Sequence, residues 1–157
     1  MPAPAYDVLL ILHIASAFIG FGSIAIGGWA ASAGRRSGDP AGEERVVRFF
    51  REGTDWPGRV IFAVPVLGLV MLLVGDHPDI GQAWPWIGLG LWVVAAGVAS
   101  GLGWPAERRA QAELASLQAG DSGRLPAFTE ACTQMERAAA LITVCFVVVV
   151  TLMIWQP

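Results

Sequence analysis

The stretch ILHIASAFIGFGSIAIGGWAAS, Ile11–Ser32, is almost wholly apolar yet carries His13. In hydrocarbon an imidazole is held neutral, so it keeps a nitrogen lone pair for ligation. An ionisable residue at such depth is a candidate functional group. Met71, Met153 and His77 fall toward the same membrane face as His13. A neutral imidazole with thioether sulfur is a soft set able to hold Cu(I) or an axial position on haem. His13 and His77 are therefore the candidate metal ligands. Ser16, Gly20, Met71, Met153 and Arg59 join His13 as candidate cofactor-binding residues, with haem b or copper as the cofactor. Arg59 belongs to the set because a guanidinium at that depth could hold an acidic headgroup or a propionate. Its other reading is a snorkelling topology residue.

The competing reading of His13 is a core histidine bonded to Thr143, Thr151 or a backbone carbonyl freed by Pro65. No span holds a second histidine, an HxxxM pair or a carboxylate. Two histidine ligands to one haem would thus need two copies of the chain, or His with Met. Absent carboxylates argue against a proton or cation pump. Phosphate loops, nucleophile elbows and metalloprotease motifs are missing, so the reading leans away from an enzyme without settling it. Three functions stay open: a haem- or copper-binding bundle, a non-catalytic accessory subunit, and an enzyme of porphyrin or quinone chemistry.

The elements that must position His13 are set by composition. The chain has 157 residues, 55% hydrophobic and only 15% charged, with a mean hydropathy of +0.57. A soluble domain carries about a quarter charged residues. Long apolar stretches near Val8–Gly34, Val60–Gly75, Trp86–Trp104 and Ala138–Trp155 approach the roughly 20 residues of a bilayer crossing. The second is slightly short, and its helix is expected to begin around Trp56–Pro57. The fold class is all-α: a polytopic membrane protein with an antiparallel four-helix bundle. One domain, 1–157, is expected, with helices over about 6–34, 56–75, 84–118 and 126–155. The first stretch is not read as a cleaved signal peptide, because MPAPAYD has no positive charge and the run behind it is long.

Orientation follows from ten arginines and no lysine. Six, from Arg35 to Arg59, lie between the first two spans, and four, from Arg108 to Arg137, between the last two. Positive residues stay cytoplasmic. Both termini and the loop DHPDIGQ are therefore expected outside a bacterial cytoplasmic (inner) membrane, with His13 roughly 10 Å below the outer surface. The arginines read as topology signals, not as a nucleic-acid patch. Trp84, Trp86 and Trp155 fall at outer ends and Trp29, Trp56 and Trp104 near inner ends, as an aromatic belt requires. Only Trp92 falls within a span. Cys132 and Cys145, thirteen residues apart on one helix, cannot bridge.

Between the first spans, Asp39 is a candidate N-cap with Pro40 at the first helical position. Val46, Val47, Phe49 and Phe50 then alternate with Arg45, Arg48 and Arg51. Two placements suit this segment: flat in the headgroup plane, or packed on neighbouring helices. Pro65 should kink the second span. Between the last two spans, a helical hairpin turns at AGDSGRLP, so these helices should extend past the bilayer.

His13, Ser16, Gly20, Ser23 and Gly27 step by three and four along one narrow face. Small residues mark close helix contact in lipid, so the first helix is expected to be the central one. The lipid bilayer is the first partner, and a homodimer or partner subunit docked on this seam is the second. The third span has its own set, Gly90, Gly97, Ser100 and Gly101.

LLILHIASAFIGFGSIAIGG, RVIFAVPVLGLVMLL, PWIGLGLWVVAAGVASGLGWPAERR and a last helix ending VTLMIWQP resemble the bacterial integral-membrane family designated domain of unknown function 2269. The resemblance covers nearly the whole chain. It implies four membrane helices and, by itself, no activity. MIWQP departs from the family's Met-x-x-Lys-Pro ending, so no residue here carries that lysine's role. More distantly, the first-helix histidine is similar to that of HemJ-type protoporphyrinogen oxidases and of copper-resistance protein D. The former pair it with an intramembrane lysine, which this chain lacks. The latter implies copper uptake. Only His13 carries over from either.

Overall fold

In hydrocarbon every backbone N–H and C=O must be satisfied within the chain, which leaves apolar spans of this length helical. The computed structural model describes residues 3–51, 56–74 and 81–155, and among these all regular structure is helical. The elements are α1 (Ala3–Arg36), α2 (Glu44–Phe49), α3 (Trp56–Arg59), a 3₁₀ turn (Val60–Phe62), α4 (Ala63–Val74), α5 (Ala83–Val98), a π-helical turn (Ala99–Gly103), α6 (Trp104–Gln118), a 3₁₀ turn (Ser122–Arg124) and α7 (Leu125–Trp155). Four helical rods are long and apolar enough to cross a membrane: Ala5–Arg36, Pro57–Val74, Ala83–Gln118 and Ser122–Trp155. The chain is an antiparallel, four-span membrane protein. Three of the rods run about 50 Å at 1.5 Å per residue, against a hydrocarbon layer of about 30 Å. They therefore extend beyond it at the arginine-bearing end.

α1 and α7 form the central pair. Gly28 faces Ala139 so closely that a methyl group there would collide with the Ala139 side chain, and Gly34 abuts Phe128. Phe21 stacks on Phe146 with ring centres 4.6 Å apart. α4 packs on α1, and α5 and α6 pack on α7. On the remaining side, between α4 and α5, Phe62 meets Trp92 edge-on at 6.0 Å.

Two cores result. One lies mid-bundle and joins Phe21, Ile61, Ala95, Ala99, Ile142 and Cys145. The other lies at the arginine-bearing end, where Ala31, Val46, Phe50, Leu114, Phe128 and Cys132 are buried together. Of the two placements open to α2, the structure thus has the packed one. Val46 and Phe50 turn into this second core, and Arg45, Arg48 and Arg51 face outward. Asp39 does not cap α2, whose N-cap position is Glu43. Its carboxylate instead accepts from Gly42 N at 3.1 Å. Pro40 and Gly42 form a separate turn there, and the helix starts only after it.

The hairpin between α6 and α7 closes with Gly120 at φ 94°. Gly120 N donates to Leu117 O at 3.0 Å and Asp121 N to Ser116 O at 3.1 Å. This is the Schellman arrangement, which a glycine enters without Cβ strain. The third span's small residues behave differently from expectation. A methyl group at Gly90, Gly97 or Gly101 would meet nothing within 4 Å, and Ser100 is exposed. That face points out of the bundle, because α5 turns Ala95 and Ala99 toward α7 instead.

Candidate functional site

Proline 65 organises the surroundings of His13. With no N–H, it leaves the carbonyl four residues back, that of Ile61, without its helical partner. Trp92 fills the gap: its Nε1 donates to Ile61 O at 2.9 Å. One residue before the proline, Val64 O accepts from His13 Nδ1, also at 2.9 Å. A carbonyl can only accept, so Nδ1 carries the proton and Nε2 carries the lone pair. The competing reading of His13 is therefore right about a carbonyl beside Pro65, though the carbonyl is Val64's and not the freed one. Neither Thr143 nor Thr151 takes part: their hydroxyls donate to Ala139 O and Val147 O on their own helix.

The ring has little freedom on the α4 side. A methyl group at Gly68 would lie 3.1 Å from His13 Cε1. One carbonyl and one glycine thus set its plane. A ligating histidine is commonly oriented in this way, its second nitrogen donating to a backbone carbonyl.

The seam on α1 closes within the chain. Ser16 is half-buried one turn from His13. At Gly20 a methyl group would stand 2.7 Å from Ile61 N and 2.9 Å from Ile61 Cα, so two backbones touch there. Ser23 Oγ donates to Gly20 O at 3.0 Å, and Gly27 faces the Phe49 ring.

The other candidates divide by depth. The pairings Gly34–Phe128 and Gly28–Ala139, with Phe21–Phe146, carry Met153 to the level of His13 along the bundle. Met153 is 37% exposed there. Met71 shares the α4 face of Val64 and Gly68 by helical spacing, half-buried and toward the terminal end. Arg59 is not brought to His13. Its neighbour Gly58 faces Ser23 and Ile24, some ten residues or about 15 Å down α1. His77 lies outside the described residues.

Two features escaped sequence reasoning. Trp84 Nε1 is buried with no hydrogen-bond partner among the described residues. α5 pairs with α7 through Gly88 and Val149, which carries Trp84 close to the level of His13. The second feature is a cavity of about 450 Å³ in the arginine-side half, bounded by Phe18, Gly22, Gly27, Ala99, Trp104 and Ala138 among others. His13 does not line it. Among the described residues no three His, Cys, Asp or Glu side chains gather as a metal cluster would need.

Residues 7–157 match a family model described as "Predicted integral membrane protein (DUF2269)". The chain belongs to that family. No curated protein and no solved structure matches it, so the likeness to HemJ-type oxidases and copper-resistance protein D has no further support.

Proposed function

We propose that this DUF2269 member is a haem-binding bundle of the bacterial cytoplasmic membrane, with both termini outside and His13 Nε2 as the axial ligand. The observation that carries the reading is the His13 Nδ1–Val64 O bond of 2.9 Å. It fixes the tautomer and reserves Nε2 for a ligand. Haem is favoured over copper on donor supply. A porphyrin brings its own four nitrogens and asks the protein for one or two axial groups. A lone copper ion asks for several soft donors at one point, and the described residues offer His13 with Met153 only at its level. Trp84 Nε1, a buried donor near that level, suits a carboxylate or carbonyl on the bound molecule.

The test is a visible spectrum and metal analysis of detergent-purified protein, before and after haem titration. A Soret band that is lost in His13→Ala and shifted in Met153→Ala supports the reading. A colourless protein that takes up no haem, with His13→Ala unchanged in stability, sinks it in favour of a ligand-free accessory subunit. That second reading keeps a docked partner or a second copy, with Gly20 of the α1 seam packed on the chain's own Ile61 and His13, Ser16 and Ser23 half-buried.

A further inference from the structure

A groove of about 390 Å³ opens between α1 and α7 at the arginine-bearing end, lined by Arg35, Thr133, Glu136, Arg137 and Ala140. Its one acid, Glu136, is already engaged: Glu136 Oε2 accepts from Arg35 Nε at 3.0 Å. That bond holds the Arg35 guanidinium in place through Nε, not through the two terminal nitrogens of the fork. Thr133 Oγ1 donates to Thr129 O at 2.9 Å along its own helix, so the donors left to the groove are those of the arginines. Arg137 is exposed, and its guanidinium has no hydrogen bond or ion pair among the described residues. The lining thus carries two guanidinium groups and one carboxylate, an excess of one positive charge. Arg36 adds positive charge nearby without lining the groove, its Nε donating to Ser32 O at 3.2 Å.

The groove straddles the point where α7 passes from polar to apolar sequence. Its apolar run begins at Ala138, so Thr133, Glu136 and Arg137 lie on the polar side and Ala140 on the apolar side. Arg137, Ala140, Val144 and Val147 recur at steps of three and four, which puts them on one face of the helix. Below Arg137 that face is uncovered: Ala140 is exposed, and Val144 and Val147 are 59% and 57% exposed. On α1, Trp29 is 68% exposed and stands about 9 Å from Arg35 on the hydrocarbon side. An exposed tryptophan next to arginines marks the headgroup level. A guanidinium fork matches the oxygens of a phosphate. A phosphate at this height, above a bare aliphatic face, is one that carries acyl chains. The positive excess of the lining favours a lipid with net negative charge over a zwitterionic one.

We propose that the groove lined by Arg35 and Arg137 is a headgroup site for an anionic phospholipid of the leaflet at the arginine-bearing end. The lipid phosphate accepts from Arg137 and from the terminal nitrogens of Arg35, and its acyl chains lie along Ala140, Val144 and Val147. Glu136 positions the Arg35 guanidinium. The site is separate from His13 and independent of any haem.

The experiment is a thermal melt of the full chain in neutral detergent, titrated separately with short-chain phosphatidylglycerol, short-chain phosphatidylcholine and inorganic phosphate. Phosphatidylglycerol raises the melting temperature saturably, and the other two do not at the same concentrations. Arg137→Gln weakens the apparent affinity for phosphatidylglycerol about fivefold, equivalent to about 1 kcal/mol. Arg137 has no partner to lose, so this variant keeps the wild-type melting temperature in detergent alone. Arg45→Gln removes the same charge from α2, which does not line the groove, and leaves the affinity unchanged. Glu136→Gln keeps an oxygen that can accept from Arg35, removes the negative charge of the lining, and binds phosphatidylglycerol at least as tightly as the wild type. A diffuse attraction to the arginine-bearing end would make Arg45→Gln and Arg137→Gln equivalent. That result, no saturable shift with phosphatidylglycerol, an equal shift with phosphatidylcholine, saturation by inorganic phosphate alone, or weaker binding in Glu136→Gln would each overturn the proposal.

Discussion

Trp92 donates its indole N–H to the carbonyl of Ile61 at 2.9 Å, and Ile61 is the residue whose carbonyl the ring of Pro65 leaves without a helical partner. A tryptophan inside a span would otherwise strand a polar N–H in hydrocarbon. Here one deficit meets the other. The bond also bridges the α4–α5 side, beside the Phe62–Trp92 edge contact.

Removing only the N–H tests this pairing. Trp92→Phe keeps a ring against Phe62 and is expected to cost ~1–2 kcal/mol, the range for unpairing a carbonyl in a partly buried site. Pro65→Ala restores an N–H to the helix, which can fill Ile61 O from within. In the double variant most of the cost of Trp92→Phe should therefore vanish. Thermal melts in detergent of the four proteins give the coupling, and additive losses would show that the two residues act separately.

The glycines make a sharper contrast. A methyl at Gly20 would press on Ile61 backbone atoms at 2.7 and 2.9 Å, and backbone cannot swing aside as a side chain can. Gly20→Ala should part α1 from the 3₁₀ turn and cost ~1–3 kcal/mol as overpacking does. Gly101→Ala meets open space and should be neutral or stabilising by ~0.5–1 kcal/mol, since alanine is the better helix former. At Gly28 the obstacle is the Ala139 side chain. Gly28→Ala should therefore be rescued by Ala139→Gly, a swap that leaves Gly20→Ala unaffected. Melting temperatures of the single and paired variants decide it.

The contrast also marks how far the sequence could be read. Hydropathy and arginine placement reach the four spans because a bilayer imposes length and polarity one segment at a time. The small-residue stripe on α1 was legible as a close contact, and Gly20 bears that out. The same argument applied to Gly97 and Gly101 failed, because small residues show that an approach is permitted and not that a neighbour is there. Pro65 announced a freed carbonyl. That Trp92 would fill it, and that His13 would take the adjacent one, depends on the relative rotation of three helices. The cavity was illegible for the same reason: its walls come from α1, α2, α3, the π turn, α6 and α7, none of which is hollow alone.

Cysteine chemistry gives a third prediction. Cys132 is 0% exposed and Cys145 6%, with both thiols free. Both face helix neighbours on all sides, so a maleimide should label neither until the protein is unfolded. This silence makes the native chain a background for topology mapping. Gly38→Cys adds a thiol at an exposed position where a Cβ meets nothing within 4 Å. In intact cells an impermeant maleimide should miss it and label it only after permeabilisation. Labelling without permeabilisation would invert the proposed orientation.

The last prediction concerns α2. An amphipathic, arginine-bearing helix next to a membrane invites the view that lipid holds it. Here Val46 and Phe50 are 2% and 3% exposed, Phe50 meets Phe128 edge-on at 5.6 Å, and Phe49 packs against the same cluster. Protein contacts, not headgroups, therefore fix the helix. Phe50→Ala should cost ~3–5 kcal/mol, as truncating a buried ring does, and should do so equally in a neutral detergent and in anionic vesicles. Charge removal acts on the opposite face: Arg45→Gln should shift stability by no more than ~0.5 kcal/mol, as for exposed surface positions. Were the helix held by lipid, the order would reverse in anionic vesicles, with Arg45→Gln releasing it and Phe50→Ala losing much of its effect in detergent. Limited proteolysis between Gly38 and Arg51, run in both media, distinguishes the two arrangements.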